Sequence, residues 1–202
     1  MDLFSQIFDV LMKQPRHFSD TETFDERRDR IVVMGHAINR STRRAACTDE
    51  FALPGCKPIF GDQMLMAALL ITKAKFESGL AEHVHEGHCD LMPAGQRCDA
   101  DKQGVARAHG PWQQWRSSVF PASDWDDMNA STQAATDLAA WHATKLLSGG
   151  TRRCAQQYPD PISSTIAAFA GSCIRMTPAM VQRQAAATQK TLAQLFAAKP
   201  AS

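Results

Sequence analysis

Residues 61–79, GDQMLMAALLITKAKFESG, constrain the fold more than any other stretch of this chain. Met64, Ala67, Ala68, Leu70, Ile71 and Ala74 recur at three- and four-residue spacing, the period of a buried helical face. Asp62 stands at an N-cap position and Gly79 where a helix stops. Glu77 therefore falls in the last turn. A helix C-terminus carries partial negative charge and disfavours a carboxylate there. Phe76 and Leu80 flank Glu77, so burial and dipole together favour the protonated acid. A carboxyl group that holds its proton near neutral pH is what a general acid requires. The alternative is an exposed Glu that frays the helix end. Lys73 sits one turn earlier, and a Lys73–Glu77 pair would favour the carboxylate instead.

The remaining composition narrows the class. The chain has 202 residues, enough for one domain with a sizeable core and no obligatory metal or disulfide. Its 22 basic and 21 acidic residues nearly cancel, which argues against a nucleic-acid binder driven by a basic field. No apolar run approaches the roughly 20 residues needed to span a bilayer. Abundant Ala and Met with few β-branched runs point to a mainly α protein. The six cysteines fall as Cys47/Cys56, Cys89/Cys98 and Cys154/Cys173. Six cysteines allow 15 pairings, and the sequential one is the economical choice, because each pair brackets a loop rich in Pro, Gly or Asp. Three disulfides imply an oxidising location outside the cytoplasm. The alternative is six buried thiols in a cytosolic protein. Residues 1–13, MDLFSQIFDVLMK, do not read as a secretory signal, being acidic at residue 2 and interrupted by Gln6 and Asp9. The expected localisation is periplasmic, extracellular or phage-delivered.

Taken in order, residues 1–22 read as an amphipathic helix and a linker, and residues 23–202 as the main domain. Leu3, Phe4, Ile7, Phe8 and Leu11 share one helical face that docks on the domain or meets a partner or membrane surface. Residues 14–19 carry Pro15 and read as linker. Residues 23–44 read as a long helix with Ile31, Val32, Met34, Ala37 and Ile38 inward, and its charges Asp25 to Arg30 as a solvated face. Residues 81–109 lack helical period and hold Cys89, Cys98, Pro93, Gly95 and Gly104, and irregular segments of this length are usually functional. A helix is expected from Asn129 or Ser131 to Leu147, a loop over residues 154–161, and short helices thereafter. The last helix, capped by Thr177-Pro178, has Val181, Ala185, Thr188, Leu192 and Leu195 or Phe196 inward.

Four features now stand in order: Glu77-Ser78-Gly79 at a helix end, a long loop, Gly110-Pro111-Trp112-Gln113, and an apolar helix over Ile166 to Gly171. This order resembles the lysozyme-like superfamily, most closely soluble lytic transglycosylases and goose-type lysozymes. That family has a buried helix ending in Glu-Ser, then Gly-Leu-Met-Gln, then Ala-Tyr-Asn-x-Gly. The resemblance spans about residues 60–175 and implies a helical domain with a loop-rich or small β-hairpin lobe beside an active-site cleft. It also implies cleavage of the β-1,4 bond between N-acetylmuramic acid and N-acetylglucosamine in peptidoglycan, with no cofactor. Glu77 would be the general acid and later the base. Ser78 and Gln113 would bond the acetamido groups, and Trp112 and Trp115 would stack on sugar faces or serve as core aromatics.

The departures from the family pattern matter. The Tyr and Asn of the third motif are Phe169 and Ala170 here, and Tyr158 is the hydroxyl at hand to orient Glu77 in their place. Phe169 would still line the sugar site. The loop after Glu77 is longer than the family's and carries Asp90 and Asp101, either of which would make a water-using inverting lysozyme if it faced Glu77 at roughly 6.5–9.5 Å. His83, His85 and His88 do not match a recognised metal-binding spacing, so no metal is expected. A Ser–His–Asp hydrolase lacks its G-x-S-x-G elbow. The alternative class is a lysozyme-like scaffold without activity that binds glycan or builds a virion. Peptidoglycan glycan strands are the partner that the resemblance implies.

Overall fold

The computed structural model describes residues 2–17, 20–45, 63–82, 108–109, 111–112, 114–115, 152–169, 173 and 176–198. The described residues form helices α1 (Leu3–Met12), α2 (Phe24–Ala45) and α3 (Gln63–Ser78), strands β1 (Ala108–His109) and β2 (Gln114–Trp115), and helices α4 (Arg152–Gln157), α5 (Pro161–Phe169) and α6 (Pro178–Ala197). The described chain is mainly α. Ala108 pairs with Trp115 and His109 with Gln114 in a short antiparallel ladder around Pro111 and Trp112. The expected helix at 129–147, the Asp62 cap and the loop of residues 47–58 lie outside the described residues.

Helix α3 is the centre of the core. It packs against α6 and α2 and also touches α1. Every residue from Met66 to Ala74 is buried. The single apolar face expected from the spacing understates this helix, because neighbours on several sides leave no solvated stripe. Leu69, Thr72 and Lys73 are therefore buried along with the expected Ala67, Ala68, Leu70, Ile71 and Ala74, whereas Met64, also expected inward, is only partly buried. Their polar atoms are matched from α6. Thr72 Oγ1 bonds Thr191 Oγ1 at 3.2 Å, and Thr191 donates in turn to the Ala187 carbonyl at 3.0 Å. Such pairs are satisfied only in one register, which fixes how α3 and α6 sit together.

The outer helices begin with side-chain caps. Asp2 accepts from the Ser5 amide at 2.8 Å and starts α1. Thr23 and Glu26 satisfy each other's amides at the start of α2, at 2.7 and 3.3 Å, a reciprocal capping box. Thr177 accepts from the Met180 amide at 3.3 Å, with Pro178 at the first position of α6. On α1, Ile7, Val10 and Leu11 are buried in the common core. Gly35 permits that approach, since a Cβ there would stand 3.1 Å from the Phe4 ring, which also stacks on His36. On α6 the inward residues are Val181, Gln184, Thr188, Thr191 and Leu195, while Phe196 is 64% exposed, so Leu195 takes the inward place.

Three expectations are corrected. Residues 154–161 are not all loop: α4 runs through Cys154, which is buried and bonded to Cys173 with Cα atoms 5.3 Å apart. The expected linker of residues 14–19 is bonded into the domain where it is described, because the Gln14 carbonyl accepts from Arg27 and Gln14 Oε1 from Lys75. Arg27 and Arg30 are not on a solvated face but buried. They continue the stripe of Ile31, Met34 and Ile38 back toward the start of α2, so the helix geometry carries them under the chain.

The expected set of three disulfides is narrowed in the same way. Among the described residues the sequential pairing is seen for Cys154–Cys173 alone. Cys47 and Cys56, the expected first pair, and Cys89 and Cys98, the expected second, lie outside the described residues.

Two outcomes follow for stability. The Cys154–Cys173 bond closes a 19-residue separation, and the double substitution to Ser is expected to cost about 3 kcal/mol in urea denaturation. Hydrogen bonds from Ser5 and Thr23 hold the Asp2 and Glu26 carboxyls below their ordinary values of 3.8 and 4.5. Folded values below unfolded ones mean that this stabilisation is full above the unfolded values and lost as pH falls through the folded ones. The urea midpoint is expected to fall on acidification below those ordinary values, and to fall less in Asp2→Asn/Glu26→Gln.

Candidate functional site

The candidate site is built at the C-terminal end of α3, where the helix leaves the core. The helix stops because Gly79 and Leu80 take left-handed backbone, with φ of 64° and 58°. Glycine does this without a Cβ penalty, whereas for Leu the conformation is strained. Gly79 has a second reason to be glycine, since a Cβ would meet His17 Cδ2 at 3.3 Å. Leu80 is held there by its buried side chain and by bonds at both backbone polar groups. Its amide donates to Ser78 Oγ at 3.2 Å, and its carbonyl accepts from Arg30 Nη1 at 3.2 Å.

Glu77 is in the last turn, with its side chain 31% exposed. Its Oε1 lies 2.6 Å from Lys73 Nζ. Lys73 is almost wholly buried and also donates to Gln184 Oε1 at 3.2 Å. The pair has Lys before Glu, the less favourable order on an isolated helix. Helix electrostatics therefore do not account for it. Burial does: an ammonium taken out of water needs an anion and hydrogen-bond acceptors. The expected apolar surroundings of Glu77 are corrected accordingly, because its nearest charged neighbour is this buried cation. Arg183 from α6 lies over the Phe76 ring at 5.4 Å on the same end of the helix.

The other nominated residues divide. Ser78 is buried, and its hydroxyl donates to the Ala74 carbonyl at 2.9 Å while accepting from Leu80. It braces the helix end rather than presenting a donor to a ligand. Trp112 is 1% exposed, and its indole N–H donates to the Leu70 carbonyl at 2.9 Å. A ring so covered does not stack on a sugar. It pins the Pro111-Trp112 turn to α3, two turns before Glu77. The structure therefore ties Trp112 of the second sequence feature to the helix that ends in Glu77-Ser78. Tyr158 packs partly buried against the core, and its hydroxyl accepts from Gln157 Nε2 at 3.2 Å rather than reaching Glu77. Phe169 closes α5, with its side chain outside the described residues. Gln113, Asp90, Asp101 and the histidines at 83, 85 and 88 also lie outside them.

Residues not nominated from sequence form the frame around Glu77. Glu22 lies buried between two arginines. Arg30 Nη2 and Nε reach its two oxygens at 2.5 and 2.8 Å, and Arg27 Nη1 approaches at 3.4 Å. Asp20 completes the charge balance, 3.9 Å from Arg27, and accepts from the Glu82 amide at 3.0 Å. The Glu22 amide donates to Glu82 Oε2 at 3.1 Å, and Arg27 donates to the Gln14 carbonyl at 3.0 Å. Lys75 reaches Gln14 Oε1 at 3.0 Å. The connection between α1 and α2 is thus bonded to both flanks of the turn that follows Glu77. The available signal was the i, i+3, i+4 continuation of the apolar stripe of α2 into Arg27 and Arg30.

The Lys73–Glu77 pair gives a direct expectation. Glu77→Gln removes the anion from a buried ammonium and is expected to cost about 1–3 kcal/mol in urea denaturation. Lys73→Met with Glu77→Gln is expected to recover most of that loss, since an apolar side chain in place of the cation removes its burial cost. Purely additive effects in the double-mutant cycle would contradict the pairing.

No family model, no curated protein and no solved structure matches this chain at a significant level.

Proposed function

We propose that the chain is a peptidoglycan-cleaving glycosidase of lysozyme-like fold, a lytic transglycosylase or a muramidase, with Glu77 as its general acid and base. The observation that carries this reading is the position of Glu77. It is a partly exposed carboxylate in the last turn of a helix that is buried from Met66 to Ala74, and the Pro111-Trp112 turn is tied to that helix through Leu70. The Cys154–Cys173 bond supports an oxidising location such as the cell wall.

In the proposed reaction Glu77 protonates the oxygen bridging two sugars, and the bond from that oxygen to the anomeric carbon breaks. The acetamido oxygen of the substrate stabilises the positive charge left on the sugar. The Glu77 carboxylate then takes the proton from the attacking hydroxyl. That hydroxyl belongs to the sugar itself in a transglycosylase, which closes an anhydro ring, and to water in a muramidase. Lys73 holds the carboxylate in place while the site is open.

A second reading is favoured by the same pair. Glu77 already serves as the counterion of Lys73, Ser78 braces the backbone, and Trp112 is a core residue. A glycan-binding or virion structural protein without activity would use these residues in this way.

The deciding experiment is Glu77→Gln against purified peptidoglycan, with both proteins compared at equal folded fraction. Loss of product release by about 10²–10⁴-fold is expected for a general acid. Wild-type activity in that variant would remove Glu77 from the chemistry, and wall binding without product release by the wild type would favour the second reading. Anhydro sugar ends by mass spectrometry identify a transglycosylase, and reducing ends a hydrolase.

A further inference from the structure

We propose that Glu22 and Arg30 are positioning residues for Glu77, acting through the Leu80 carbonyl; the inference rests on the glycosidase reading above. Three observations meet at this point. First, Leu80 is a non-glycine residue in left-handed backbone, at φ 58°, three positions after Glu77. Strained backbone of this kind persists only where its surroundings over-determine it, and it concentrates at functional sites. Second, the groups that hold it are buried and charged. Arg30 binds Glu22 through two parallel bonds and turns its remaining nitrogen to the Leu80 carbonyl. A planar guanidinium fork can make all three bonds at once, and a lysine cannot. Third, the same carboxylate cluster reaches past the turn. Asp20 accepts from the Glu82 amide, and Glu82 accepts from the Glu22 amide.

The result is a clamp that joins α2, the connection before it and the end of α3. It fixes the Gly79-Leu80 turn through the buried Leu80 carbonyl. The last turn of α3 cannot rotate or unwind unless these bonds break. Glu77 sits in that turn, so its carboxyl keeps a set position relative to Lys73 and to whatever lies against the helix end. Neither Glu22 nor Arg30 touches Glu77 in this arrangement. Their effect on chemistry is through geometry alone, and small displacements of a reacting group suffice to slow it.

Arg30→Lys tests this, because it keeps the charge beside Glu22 and loses the fork. Amide hydrogen exchange at Gly79, Leu80, Ala81 and Glu82 is expected to rise about 10-fold or more, with Leu70 and Ile71 unchanged, the mark of a local opening. On purified peptidoglycan, kcat is expected to fall about 10–100-fold with KM unchanged. Glu82→Ala, at the outer end of the same cluster, is the milder variant and is expected to give the same pattern at smaller amplitude if Arg30→Lys does not fold. Uniform exchange across α3, or none beyond wild type, would overturn the clamp. Local exchange with unchanged kcat would overturn its positioning role. The glycosidase reading fails separately, on wild-type activity in Glu77→Gln, and the exchange pattern then decides the clamp by itself.

Discussion

A helix buried on all sides can offer chemistry to solvent only at its ends. That constraint governs this protein. From Met66 to Ala74, α3 has no solvated residue, and its polar groups there are matched from α6. The helix meets water in part at its start, over Gln63 to Leu65, and at its last turn, where Lys75 and Glu77 emerge before the Gly79-Leu80 turn. The core does not merely stabilise the site. By surrounding α3 from Met66 to Ala74 it confines the solvent-facing side chains of that helix to its two ends.

Two buried ionic groups converge on the C-terminal end, and they differ in kind. Glu22, Asp20, Arg27 and Arg30 form a cluster in which the Glu22 carboxylate meets both arginines and the Asp20 carboxylate meets Arg27 and the amides of His17 and Glu82. Such clusters contribute little net stability over apolar packing, yet they tolerate almost no rearrangement, because breaking one contact strands a buried charge. Lys73 and Glu77 form a pair that is buried at one end and open at the other. The closed cluster suits a framework, and the open pair suits a site whose electrostatics change when something covers it.

The sequence made the long helices and the end of α3 legible, because both rest on local rules, but not the short α4, which falls in an expected loop. Three- and four-residue spacing marked α2, α3 and α6, Thr177-Pro178 marked a helix start, and Gly79 marked a stop. What it did not reveal depends on contacts distant in the chain. Nothing near Lys73 in sequence shows that Gln184 comes to meet it, 111 positions away. Nothing near Trp112 shows that its N–H finds the Leu70 carbonyl rather than a ligand. Arg27 and Arg30 read as surface charges because charge outweighs periodicity in a local reading. Only the matching acids at 20 and 22, folded back over them, make their burial affordable.

The central claim is that the exposed end of α3 is where a glycan strand is cut. A crystal structure of Glu77→Gln soaked with a short peptidoglycan tetrasaccharide tests it most directly. The expected result is a glycosidic oxygen about 2.6–3.2 Å from the amide of residue 77, with the sugars running beside the turn that holds Trp112. Saccharide bound elsewhere on the protein, with residue 77 still engaged only by Lys73, would contradict it.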